Sequence, residues 1–184
     1  MANPLRDRRT AAEWAAAGQV IDIAEKLNFF ERLACVVEKD LAALEPAKMP
    51  AQWRESVVSG KLEFGFADAR RRVPAVACSL TVTVDAVCQR CLEVFRLPLE
   101  TEAELLLLAL EETADGYADQ EVWELEESTL RPQDIVEELL IMALPFSAMH
   151  VDSSSCSALS AAADDQEDRT KPFAALRAQM TQDQ

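Results

Sequence analysis

The sequence predicts an α+β fold: an antiparallel β-sheet or partly closed barrel packed by a few helices, with mobile N- and C-terminal tails. Three observations predict it. Two long stretches alternate apolar and polar residues with a period of two, on either side of Cys88-Gln89-Arg90-Cys91. Two others, 27–45 and 132–144, repeat apolar residues at spacings of three and four. Opposed apolar faces on these elements leave each nothing better to bury against than the other. The same patterns divide the chain into a flexible or helical arm (1–19), a single α+β domain (20–150) and an acidic, Ser-rich tail (151–184) with a short terminal helix at 172–180.

In the arm, Ala11 to Ala17 is an Ala-rich helix former. Over 27–45 the stripe is Leu27, Phe30, Leu33, Val37, Leu41 and Leu44, which reads as a helix that Pro46 ends. Cys35, in this region, reads as a buried structural thiol. Pro50 can open a short helical turn that carries Trp53. Leu62, Phe64 and Phe66 alternate with Lys61, Glu63 and Gly65 and predict a strand. A polar connection follows, with Arg70, Arg71 and Arg72 at a hairpin tip.

The next strand holds Val76, Cys78, Leu80, Val82, Val84 and Ala86 on one face, so Cys78 reads as a second buried thiol. Gln89-Arg90 then makes a tight connection, although it lacks the Asn-Gly or Gly-Gly of the favoured two-residue hairpins. Phe95, Leu97, Leu99, Ala103, Leu105 and Leu107 predict the returning strand. Residues 111–120 are polar and read as a loop, and 121–127 as a short strand with a less regular pattern. Thr129 is a candidate N-cap, and Pro132 suits the first turn of a helix. That helix shows a wide apolar face through Ile135, Val136, Leu139, Leu140, Met142 and Ala143, with Glu137 and Glu138 opposite, and Pro145 ends it. Residues 152–168 are Ser-, Ala- and Asp-rich, a composition that stays mobile. At the end, Pro172 starts a short helix on which Phe173 and Leu176 share a face for docking.

Composition narrows the function. With 49% hydrophobic and 28% charged residues the chain is of the soluble globular class. The apolar run at 139–146 is too short for a bilayer, which takes roughly 20 residues. No secretion signal is read at the N-terminus, so a cytoplasmic location with reduced thiols is expected for the five cysteines. The net charge of −15 is uneven. Residues 1–100 hold 14 basic and 14 acidic residues, whereas 101–184 hold 4 and 19, a balance of −15. A chain that bound nucleic acid by phosphate neutralisation alone would be basic. An acidic half suits a basic protein partner, and any nucleic-acid contact falls to the near-neutral half, where Arg70, Arg71 and Arg72 can each pair with a phosphate. The plainer reading of those arginines is an exposed edge kept soluble by charge.

The chemistry-bearing residues are few. Two thiols at the end of a hairpin, two residues apart, can grip one metal ion from one side. With His150, the single histidine, and Cys156, they make a Cys₃His set suited to zinc: Cys88, Cys91, His150 and Cys156. The alternatives are unmetallated thiols beside an unordered tail, or a small zinc- or thiol-redox-responsive protein built on Cys88 and Cys91. A redox Cys-x-x-Cys usually opens a helix, and here strand residues lie on both sides. Four glycines give no Gly-rich phosphate loop, and no nucleophile–base pair is evident, so the chain is not expected to be an enzyme.

The order of these motifs resembles the YceD family, the large ribosomal RNA subunit accumulation proteins of bacteria and plastids. The resemblance rests on the strand ending in Cys88-Gln89-Arg90-Cys91, the acidic region after it and Asp134-Ile135-Val136-Glu137-Glu138-Leu139-Leu140-Ile141-Met142-Ala143-Leu144-Pro145. The His150 to Cys156 segment and the closing Pro172-Phe173-Ala174-Ala175-Leu176 complete it, so that it covers roughly 57–178. It implies a cytoplasmic, non-enzymatic protein needed for normal levels of 23S ribosomal RNA. The implied partners are large-subunit precursor RNA, met directly or indirectly, and a basic ribosomal or assembly protein, without a membrane.

Overall fold

The computed structural model of the chain describes residues 3–70, 72–109, 120–151 and 156. Expectations for Arg71, for 110–119 and for the helix at 172–180 lie outside the described residues, as do those for most of 152–168. The chain divides into two compact units, Met1–Met149 and His150–Gln184. In the second, His150, Val151 and Cys156 are described.

The first unit is α+β. Its five-stranded sheet runs in the order β1 (Val20–Lys26), β2 (Val57–Phe66), β3 (Pro74–Val87), β4 (Val94–Ala109), β5 (Glu121–Leu125). β1 to β4 pair antiparallel, and β5 pairs parallel with the end of β4. The sheet is therefore mixed and open, neither purely antiparallel nor closed into a barrel. β1 went unread in the sequence because its buried face is only Ile21 and Ile23.

On β3 the alternation holds: Val76, Cys78, Leu80, Val82 and Val84 are buried, while Ser79 and Thr81 are exposed. Cys78 lies in the core, and burial pushes its thiol pKa up to about 12. Across β4, Leu99, Leu105 and Leu107 join the same core. Pro98 is tolerated in a long strand because β5 pairs with Leu105 to Ala109, so that among the described residues β4 has one neighbour, β3, at that point. Gly60 faces Leu80 in register, with φ +155°, and a Cβ there would meet Ser79 O at 2.2 Å. Only glycine allows β2 and β3 to approach this closely.

Among the described residues, three α-helices cover the core. α1 (Ala11–Ala17) begins with a capping box. The Glu13 N–H donates to Thr10 Oγ1, the Thr10 N–H donates to Glu13 Oε2, and Gly18 ends the helix in the left-handed region. Trp14 is fully buried and stacks on Phe64 at 5.2 Å between ring centroids. α2 (Glu31–Leu41) follows a 3-10 turn at Leu27–Phe29, because Phe30 has a non-helical backbone that breaks the longer stripe. The stripe residues Leu27, Phe30, Leu33, Val37 and Leu41 are nonetheless buried. Cys35 is exposed, against expectation. It stands two residues from both Leu33 and Val37, which places it on the opposite side of the helix. Trp53 is buried in a 3-10 turn at Trp53–Glu55.

α3 (Pro132–Ala143) carries three further corrections. Met142, expected on the buried apolar face, is exposed. The N-cap of the helix is Arg131, not Thr129. Leu130 is held extended by a two-hydrogen-bond bridge to Arg9, so the helix cannot start before Pro132. Glu137, expected on the outer face, is 2% exposed. Its Oε1 accepts the backbone N–H of Arg32 at 3.0 Å, and Gln133 Nε2 donates to Phe29 O at 3.1 Å. The start of α2, which has no side-chain cap of its own, is thus capped from α3. No helix among the described residues is long and apolar enough to cross a membrane.

Candidate functional site

The connection from β3 to β4 is a six-residue knuckle, 88–93, longer than the two-residue link read from Gln89-Arg90. The Cys88 N–H donates to Glu93 O at 3.0 Å, and the Leu92 N–H donates back to Cys88 O at 2.8 Å. The Gln89 N–H donates to Ala148 O at 2.8 Å, which fixes the knuckle to the chain after α3. Leu92 closes the loop with φ +61°, a conformation that costs a bulky residue roughly 1–3 kcal/mol. The strain falls on an exposed side chain, and the turn buries both thiols: Cys88 is fully buried and Cys91 nearly so. A thiol-redox pair is helped by a helix N-terminus. These two lie between strands.

In the second unit, Cys156 is buried and its Sγ lies 3.4 Å from His150 Nδ1. Cys88 and Cys91 of the first unit, with His150 and Cys156 of the second, are a set that could hold a metal ion, each residue offering one ligand atom. The donor set passes the chemical test. Three thiolates and one imidazole are a structural zinc set, and a tetrahedral ion takes four ligands. The imidazole is a neutral ligand and the thiols bind as thiolates, so metal binding releases protons.

The basic hairpin tip is more constrained than its sequence suggests. Arg70 and Arg72 are exposed, and Arg71 lies outside the described residues. Asp68, which sequence reasoning passed over, organises the turn. Its Oδ1 accepts the Arg72 N–H at 2.7 Å and the Val73 N–H at 3.3 Å, and its Oδ2 accepts Arg72 Nε at 3.1 Å. These bonds, the backbone one first, hold the Asp68 pKa below its ordinary value. An aspartate two residues ahead of an arginine run was the available signal, since short acidic side chains bond nearby backbone N–H groups. Arg72 therefore meets a phosphate only in competition with Asp68.

Comparison with known proteins gives one match. The family profile described as large ribosomal RNA subunit accumulation protein YceD matches residues 76–178. The match begins inside β3, later than the resemblance read from about residue 57, and it takes in the knuckle, α3, His150 and Cys156. No curated protein and no solved structure matches the chain. With more than half of its residues matched, the chain belongs to the YceD family, whose name links it to the RNA of the large ribosomal subunit.

Proposed function

We propose that this protein is a cytoplasmic ribosome-biogenesis factor that supports the accumulation or processing of large-subunit (23S) ribosomal RNA, by binding rather than by catalysis. Membership of the YceD family is the observation that carries the reading. The donor set supports a binding role. Cys88, Cys91, His150 and Cys156 would supply four ligands to a zinc ion, a full structural set that would leave no position open for water or substrate. Zinc held by them would supply a structural cross-link.

The RNA contact falls to Arg70, Arg71 and Arg72, on the half of the chain without net charge. The acidic remainder suits a basic ribosomal or assembly protein. The test is removal of the chain from its host, followed by measurement of 23S RNA and of free large subunits. A deficit of both that is restored by the wild-type chain is the result expected. Normal levels of both would overturn the reading.

A further inference from the structure

The first unit carries a cavity of about 130 Å³ between α2, the end of β3, the start of β4 and the segment after α3. Val36, Val84, Leu97 and Phe146 are among the apolar residues that line it. Among the described residues, its lining has two ionisable groups, Asp40 and Asp85, and both are acidic. Asp40 is fixed beside the cavity, where its Oδ2 accepts the Val87 N–H at 2.9 Å. Asp85 is 6% exposed, and Arg96 approaches its Oδ2 at 3.4 Å. Phe146 stands at the rim wholly exposed, and Val36 is 37% exposed. An apolar cavity of roughly 150 Å³ takes up a benzene-sized group. This one matches a single aromatic or branched aliphatic side chain.

We infer that this cavity is the docking pocket for a basic protein partner, which inserts one apolar side chain and sets a neighbouring lysine or arginine against Asp40. The inference rests on the reading of the chain as a binding factor and names the surface and the partner chemistry. Charge complementarity selects the occupant. On the lining Asp85 is paired by Arg96, and Asp40 remains to meet a cation; with the whole chain at −15, two copies repel, whereas a basic chain is drawn in. The exposed Phe146 and Val36 supply the apolar rim that excludes water around an inserted anchor.

The experiment uses the full chain with labelled methyl groups and three short synthetic peptides: lysine-rich with a central phenylalanine, lysine-rich with serine in that place, and glutamate-rich with the phenylalanine. The first should shift the methyl signals of Val84 and Leu97, and the other two should bind roughly tenfold more weakly or worse. Val36→Arg, at an exposed position, should weaken the first peptide by a similar factor while the melting temperature stays within a few degrees. No shift with the first peptide, or equal binding of the glutamate-rich one, would overturn the inference. So would self-association of the chain that Val36→Arg abolishes, since the occupant would then be a second copy. None of these readouts involves ribosomal RNA, so the pocket can fail while the role in RNA accumulation stands, and the reverse holds for the deletion test.

Discussion

Glu137 of α3 caps α2 across 105 residues of sequence: its carboxylate accepts the Arg32 N–H at 3.0 Å. Burial raises the Glu137 pKa above its ordinary value, and the Arg32 hydrogen bond opposes the rise without cancelling it. A raised folded-state pKa on an acid means that the folded chain binds the proton more tightly than the unfolded chain does. The stability this contributes is present below the unfolded pKa and is lost as pH rises through the folded one. Glu137→Gln keeps an acceptor oxygen and should flatten the fall in stability above about pH 4.5, as measured by urea unfolding between pH 4 and 7. Glu137→Ala leaves the Arg32 N–H unsatisfied and should cost about 1–3 kcal/mol at all pH values.

Gly60 sets how closely β2 approaches β3. A Cβ at this position meets backbone atoms, Ser79 O at 2.2 Å and Leu80 Cα at 2.9 Å, which cannot rotate away. Gly60→Ala should cost about 1–3 kcal/mol, seen as a lower denaturation midpoint with an unchanged slope. An unaltered midpoint would show that the strands separate freely.

Leu92 holds its left-handed conformation against its own side chain, which is 64% exposed and so gains little from burial. Leu92→Gly removes that backbone strain. The variant should be as stable as the parent or more stable by about 1 kcal/mol, and it should take up zinc to the same extent as the parent. A loss of stability would mean that the Leu92 side chain packs on the knuckle.

The metal reading predicts one zinc per chain in protein purified under reducing conditions. Cobalt in its place should give the visible spectrum of a tetrahedral thiolate site. Cys88→Ser and Cys91→Ser should each lower zinc occupancy, and a chelator should lower the melting temperature of the parent but not of the variants. A metal-free parent whose melting is indifferent to chelator would remove zinc from the account.

Asp68 makes the basic tip testable through salt dependence. With Arg72 held by Asp68, two remaining arginines give a log–log salt slope of about −1.4 to −1.8 for RNA binding, at roughly 0.7 to 0.9 per phosphate. Asp68→Asn keeps the acceptor for the Arg72 and Val73 N–H groups and releases the guanidinium. The slope should steepen by about 0.7 to 0.9. Replacing all three arginines by alanine should weaken RNA binding with little change in melting temperature. Full binding by that variant would take the site off the tip.

Local repetition was legible in the sequence. The alternation over β3 and the stripe Leu27, Phe30, Leu33, Val37, Leu41 each specify a buried face, because side-chain direction follows directly from backbone period. The Cys-x-x-Cys and the later His150 and Cys156 named the candidate ligands for a related reason: thiols and an imidazole are rare and chemically specific. What the sequence left open depends on which distant residue supplies a partner. Glu137 lies in the same kind of pattern as Glu138, yet one is buried because α2 presents an unsatisfied N–H to it and the other pairs with Arg32 at the surface. Leu130 is extended because Arg9 bonds it, which moves the start of α3 past Thr129. β5 is parallel because it returns to β4 at Leu105 to Ala109. Periodicity carries no information on strand direction. The pairing of distant hydrogen-bonding groups decides these features, and only the tertiary structure brings those groups together.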